Sequence, residues 1–146
     1  MNVAYCIEQL SANAEAIQAL TAGLSAEQTR RKPSVAAWSV LEVINHLADE
    51  EREDFRPFIE AVFDGRAKTP HNPDEWIATR GYNARDLPTS INDFMQERQK
   101  SLAWLRGLDG VDWTQPVPYT KWVGFRAGDV LASWVAHDVL HQRQLV

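Results

Sequence analysis

Trp134-Val135-Ala136-His137-Asp138-Val139-Leu140-His141-Gln142-Arg143-Gln144-Leu145 contains neither glycine nor proline and carries apolar residues along its whole length. It predicts a helix. At 3.6 residues per turn, His137 and His141 lie one above the other on a single face. Val130, Trp134 and Leu145 share that face, so the two imidazoles point toward packed protein rather than water. Imidazoles four residues apart can converge on one metal ion; they also occur as ordinary hydrogen-bonded core residues. The spacing leaves both readings open, and a metal needs a third ligand from elsewhere in the chain.

The other side of this helix carries Leu131, Val135 and Val139, with Ala132 and Ala136 filling the next sector. A helix apolar nearly all round must be covered on both sides. Four helices leave little room for a central one, so the pattern predicts a homodimer.

The strongest local signal lies upstream. Ser39-Val40-Leu41-Glu42 has the form of a capping box, and Trp38 and Val43 are placed for a hydrophobic staple. A second helix starts there, with Val40, Val43, Ile44, Leu47, Phe55 and Phe58 on its apolar face. His46 falls at the edge of that face, looking along a seam toward a neighbouring helix, and is the candidate third ligand. Of the carboxylates Asp49, Glu50, Glu51, Glu53 and Asp54, most are expected on a solvated face. Glu50 stands one turn after His46, where it can act as ligand, as partner to a ligand, or as general base. It is the candidate catalytic residue.

The remaining elements follow from periodicity and turn chemistry. Ile7, Leu10, Ala14, Ile17, Leu20 and Leu24 mark a first amphipathic helix, ended by Gly23 and a turn at Ser25-Ala26-Glu27-Gln28. Arg30-Arg31-Lys32-Pro33 reads as a solvated basic linker. Pro57 predicts a kink in the second helix and Asp64-Gly65 its stop. Residues 66–89 are polar, but Asn72-Pro73-Asp74-Glu75 predicts a short helix inside this long connection, carrying Trp76 and Ile77. His71, just before it, is expected to be exposed and not a ligand. Ser90 and Asp93 open a third long helix, with Ile91, Phe94, Met95, Leu102 and Leu105 as its buried side. Residues 107–128 form a connection in which Trp113, Tyr119, Trp122 and Phe125 pin the loop to the bundle. Asp129 sits in the first turn of the last helix, where a negative charge suits the dipole. Nothing reads as a strand.

Composition sets the outer bounds. The 146 residues suffice for one domain, 1–146, and are too few to expect two. A net charge of −5 without a basic block argues against nucleic acid as a partner. The lone cysteine, Cys6, reads as a small core residue and permits no internal disulfide, which fits a reducing cytoplasm. No signal pattern and no membrane-spanning apolar run is present, so a cytoplasmic protein with no membrane partner is expected.

Taken together, Trp38-Ser39-Val40-Leu41-Glu42-Val43-Ile44-Asn45-His46-Leu47 and the later His137-Asp138-x-x-His141-x-x-Gln144-Leu145 resemble the DinB/YfiT-like superfamily of metalloenzymes. The resemblance implies an all-α, up-down-down-up four-helix bundle, often dimeric. It also implies a divalent metal, zinc or nickel, held by His46, His137 and His141. Relatives of this kind include S-transferases that use a low-molecular-weight thiol (bacillithiol, mycothiol or glutathione) as co-substrate, and also hydrolases. The expected function is therefore a divalent-metal-dependent enzyme acting on a small-molecule substrate, with thiol-dependent S-transfer first. A metal-dependent hydrolase and a non-catalytic metal-binding stress-response bundle are the alternatives.

Overall fold

Ser39 opens the second helical rod as its sequence predicts. Its hydroxyl accepts from the Glu42 N–H at 3.2 Å, and the Glu42 carboxylate accepts from the Ser39 N–H at 2.8 Å. A computed structural model describes residues 1–69, 71–118 and 123–146. The elements are α1 (Val3–Thr21), α2 (Ala26–Arg30), α3 (Val40–Asp49), a π-helical turn (Glu50–Phe55), α4 (Arg56–Phe63), α5 (Pro73–Thr79), a 3-10 turn (Tyr82–Ala84), α6 (Leu87–Arg106) and α7 (Ala127–Gln142). Among the described residues there is no strand, only an isolated bridge between Pro116 and Arg126. Tyr119 and Trp122, expected to pin the last connection, lie outside the described residues.

Two apolar clusters fix the direction of each helix. One gathers Cys6 and Ile7 from the start of α1, Val62 from the end of α4, Leu105 from the end of α6 and Val130 from the start of α7. The other gathers Ile17 from late in α1, Val43 from the start of α3, Phe94 from early in α6 and Leu145 from beyond α7. The first and last helices therefore run one way and the middle two the other, which is the expected up-down-down-up bundle.

Between the clusters lies a charged layer. Arg98, fully buried, is bidentate to Asp138 at 2.7 and 2.8 Å and reaches Glu51 at 2.9 Å and the Leu10 carbonyl at 2.7 Å. Glu51 also accepts from Ser101 at 2.5 Å and from the Trp134 indole at 2.9 Å. Burial pushes the Glu51 carboxyl up, while for Arg98 the pull of Glu51 and Asp138 outweighs burial and keeps the guanidinium charged. All four long elements thus meet at one side chain.

This layer corrects the expectation of a solvated acidic face. Asp49, Glu50 and Glu51 are only 3%, 4% and 1% exposed. Asp49 is held by Tyr82, by Arg80 at 2.5 Å and by Arg52 at 2.6 Å. Where a kink is expected at Pro57, the rod carries a widened turn, Glu50–Phe55, just before it. Pro57 cannot donate to the turn preceding it, and in the widened turn the Arg56 side chain donates to the Glu51 carbonyl at 2.9 Å. Gly65 then stops the rod in the left-handed conformation, φ +66°.

Three further expectations change. Ser25-Gln28 is no turn but a second capping box, which starts α2 after α1 has ended at Thr21. Helix α6 begins at Leu87, before Ser90, because the Asp86 carboxylate caps the Thr89 N–H at 2.9 Å and Pro88 is tolerated in a first turn. The back of α7 is covered within the chain: Leu131 is buried with Ile7 and Leu10 of α1, and Val135 packs on the same cluster. Leu131 is therefore not available to a partner subunit, Val135 is half-buried, and Val139 is exposed. No helix among the described residues is long and apolar enough to cross a membrane.

The layer makes a direct prediction. Arg98→Met keeps much of the volume but strands two buried carboxylates, which costs about 3–5 kcal/mol. Urea unfolding should show that loss; a change below about 1 kcal/mol would mean that the layer does not hold the bundle.

Candidate metal centre

Helix α3 delivers His46 and helix α7 delivers His137 and His141, and the three meet. The Nε2 atoms of His46 and His137 are 3.3 Å apart, and those of His141 and His137 are 3.1 Å apart. The sequence pair and the distant third histidine are thus brought together as expected. His141 Nδ1 lies 2.7 Å from the Gln144 side-chain oxygen, so Nδ1 carries the proton and Nε2 presents its lone pair to the cluster.

The surroundings keep the imidazoles neutral. Burial, followed by mutual repulsion among the rings, lowers the His46 pKa to about 2. Burial and then His141 lower that of His137 to about 3, and burial lowers that of His141. Trp38 stacks on the His141 ring at 5.7 Å and meets the His46 ring edge-on at 4.9 Å. Phe55, itself stacked on Trp134, meets His137 edge-on. Trp38 therefore does more than the staple expected of it: it walls the triad.

Three neutral imidazole nitrogens facing one another do not satisfy each other as hydrogen-bond partners, since a lone pair needs a proton opposite it. They fit a cation. Nitrogens about 2.0–2.1 Å from a tetrahedral ion stand roughly 3.3 Å apart, close to the spacings here, and three histidines leave a fourth position free. That position can open toward a cavity of about 500 Å³ bordered by all three rings. Phe55, Phe58 and Leu140 give it apolar walls, and Glu50, Asp54 and His71 form a polar rim.

Glu50 lies where its sequence position predicts, buried one turn from His46, with Oε1 3.6 Å from His46 Nδ1. His71 is where the sequence reading fails. Instead of standing exposed in a loop, it is 20% exposed at the side chain, with Nε2 2.7 Å from Glu50 Oε1 and Nδ1 3.3 Å from Asp54 Oδ1. Glu50, Asp54 and His71 form a second group with metal-ligand chemistry, but Lys68 already sits on Asp54. The only advance signal for His71 was the cap of α5 immediately after it, which fixes where the loop must land.

Neutral buried histidines link stability to pH. The unfolded chain takes up protons below pH 6.5, whereas His46 and His137 in the fold resist them down to about 2 and 3. Stability of the metal-free protein is therefore full above pH 6.5 and falls as pH drops, by on the order of 1 kcal/mol per pH unit for each histidine. Thermal melting of the metal-free protein between pH 7.5 and 5 should show this slope. His46→Gln should flatten it; an unchanged slope would mean that the triad is not its source.

Comparison with known proteins bears on the fold and the family. No match is found among curated proteins. Among solved structures, YfiT from Bacillus subtilis, described as a probable metal-dependent hydrolase with an unusual four-helix bundle topology, is similar with a TM-score of 0.84 at 16% identity, covering 98% of this chain and 83% of its own. At that identity the likeness shows the fold. The sequence model of the DinB superfamily matches residues 9–145, nearly the whole chain, and this protein belongs to the DinB superfamily.

Proposed function

We propose that the chain is a metalloenzyme in which His46, His137 and His141 hold one divalent ion, zinc or nickel, and present it to a small-molecule substrate in the adjoining cavity. The observation that carries this reading is the convergence of three Nε2 atoms on the wall of that cavity. A divalent ion there supplies Lewis acidity, bringing the pKa of a water or thiol toward neutrality. The chain's own residues do the rest. Glu50 lines the cavity and serves as acceptor for the proton that the nucleophile gives up. Phe55 and Phe58 exclude water and favour an apolar portion of the substrate. The roomy cavity beside the triad supports an enzyme over a non-catalytic bundle.

Thiol-dependent S-transfer remains the first form of this chemistry. Ionising a thiol of ordinary pKa ~8.5 at pH 7 costs about 2 kcal/mol, a modest demand on one cation. The apolar walls suit an apolar electrophile. Hydrolysis is the second form, supported by the description of YfiT as a probable metal-dependent hydrolase. A cytoplasmic location accords with the buried, free thiol of Cys6. The homodimer now rests on the adjacent exposed residues Val139 and Leu140, 47% and 59% exposed. Val139→Glu should convert it to monomers in sedimentation, and a monomeric wild type would dispose of it.

Elemental analysis should find about one divalent ion per chain, lost in His46→Ala, His137→Ala and His141→Ala. In a cobalt-substituted form, glutathione or bacillithiol should raise a sulfur-to-metal charge-transfer band. Glu50→Gln, assayed with enough ion to fill the site, should still lower turnover by ~10²–10⁴. If no thiol perturbs the spectrum while ester or amide hydrolysis depends on His46, the chemistry is hydrolytic. If neither activity appears with the ion bound, the non-catalytic bundle stands instead.

A further inference from the structure

His46 poses a local problem. Its ring is 1% exposed, its Nε2 faces the triad, and among the described residues its Nδ1 has no hydrogen-bond partner. The acceptor beside it is Glu50 Oε1, at 3.6 Å. That is just beyond hydrogen-bond length, and a shift of about half an ångström closes it. The same oxygen is held from the other side by His71 Nε2 at 2.7 Å, and His71 Nδ1 faces Asp54 at 3.3 Å.

His71 is fixed in turn by the α5 segment. Its ring stacks on Trp76, with centroids 4.1 Å apart and planes 19° apart. The Arg80 guanidinium lies over the Trp76 ring, 4.0 Å from its centroid. Arg80 is tied to Asp49 at 2.5 Å and to Glu53 at 2.7 and 2.8 Å, all on the rod that carries His46. Arg80, Trp76 and His71 thus form a stack that begins and ends on that rod.

We infer that His71 is a positioning residue of the metal centre: from the α5 segment it holds Glu50 against His46 Nδ1, fixing the tautomer and orientation of that ligand. The inference rests on the metal reading above. A carboxylate on the far nitrogen of a metal-binding histidine sets which nitrogen carries the proton and makes the other a better donor, and loss of such a partner typically weakens metal binding ~10–100-fold. The α5 segment, which supplies no ligand to the triad, would then govern how tightly the ion is held.

The test is cobalt or zinc affinity, measured by competition with a chromophoric chelator. His71→Leu should weaken binding by ~10–100-fold. His71→Gln, whose amide can still donate to Glu50, should stay close to wild type. Trp76→Ala, which removes the stacking shelf but leaves the imidazole, should weaken binding in the same direction. Affinity is compared at a temperature where melting shows each metal-free variant to be fully folded, which separates ligand positioning from folding. Wild-type affinity in His71→Leu overturns the inference, and so does an equal loss in His71→Leu and His71→Gln. A wild-type chain that binds no ion at all would instead overturn the metal reading itself.

Discussion

Arg98 is the side chain around which this bundle is arranged. A guanidinium with no exposure has to find partners inside the protein, and it finds them on every other long element: the Leu10 carbonyl on α1, Glu51 on the rod and Asp138 on α7. Apolar packing alone would tolerate helices sliding by a turn, since Leu, Ile and Val fill one another's places at modest cost. A buried ion cluster does not tolerate it, because any slip leaves a charge without a partner. The two apolar clusters supply the driving force for burial, and the layer between them sets the register.

What could be read in the sequence was what is local. The Ser39 capping box, the α5 start at Asn72-Pro73 and the four-residue step from His137 to His141 each declare themselves within one turn of chain. His46 was named as third ligand from its place at the edge of the apolar face, and the resemblance of the two histidine motifs to a known superfamily implied the same residue. What could not be read was pairing across long separations. The run from Asp49 to Asp54 looks like a water-facing stripe by every local rule, because its partners Arg80, Tyr82, Arg98 and Ser101 lie 27 to 50 residues away. His71 was missed for the same reason, as its partner is on the preceding rod. The back of α7 was read as covered along its whole length, but α1 covers it only at Leu131 and in part at Val135, leaving Val139 exposed.

The same layer explains why the candidate site is built to close tolerance although its residues come from separate helices. On each ligand-bearing helix the functional residue has an immediate neighbour in the chain that is buried, polar and tied to α6. His46 follows Asn45, which donates to Ser90 at 2.9 Å. Glu50 precedes Glu51, which is held by Arg98 and Ser101. His137 precedes Asp138, which is held by Arg98. Adjacent residues on a helix point about 100° apart, so fixing one neighbour toward α6 aims the other toward the seam between α3 and α7. Among the described residues α6 lends nothing to the lining of the cavity. Its contribution is to hold the polar neighbours, and through them to set the angle at which His46, Glu50 and His137 reach the site.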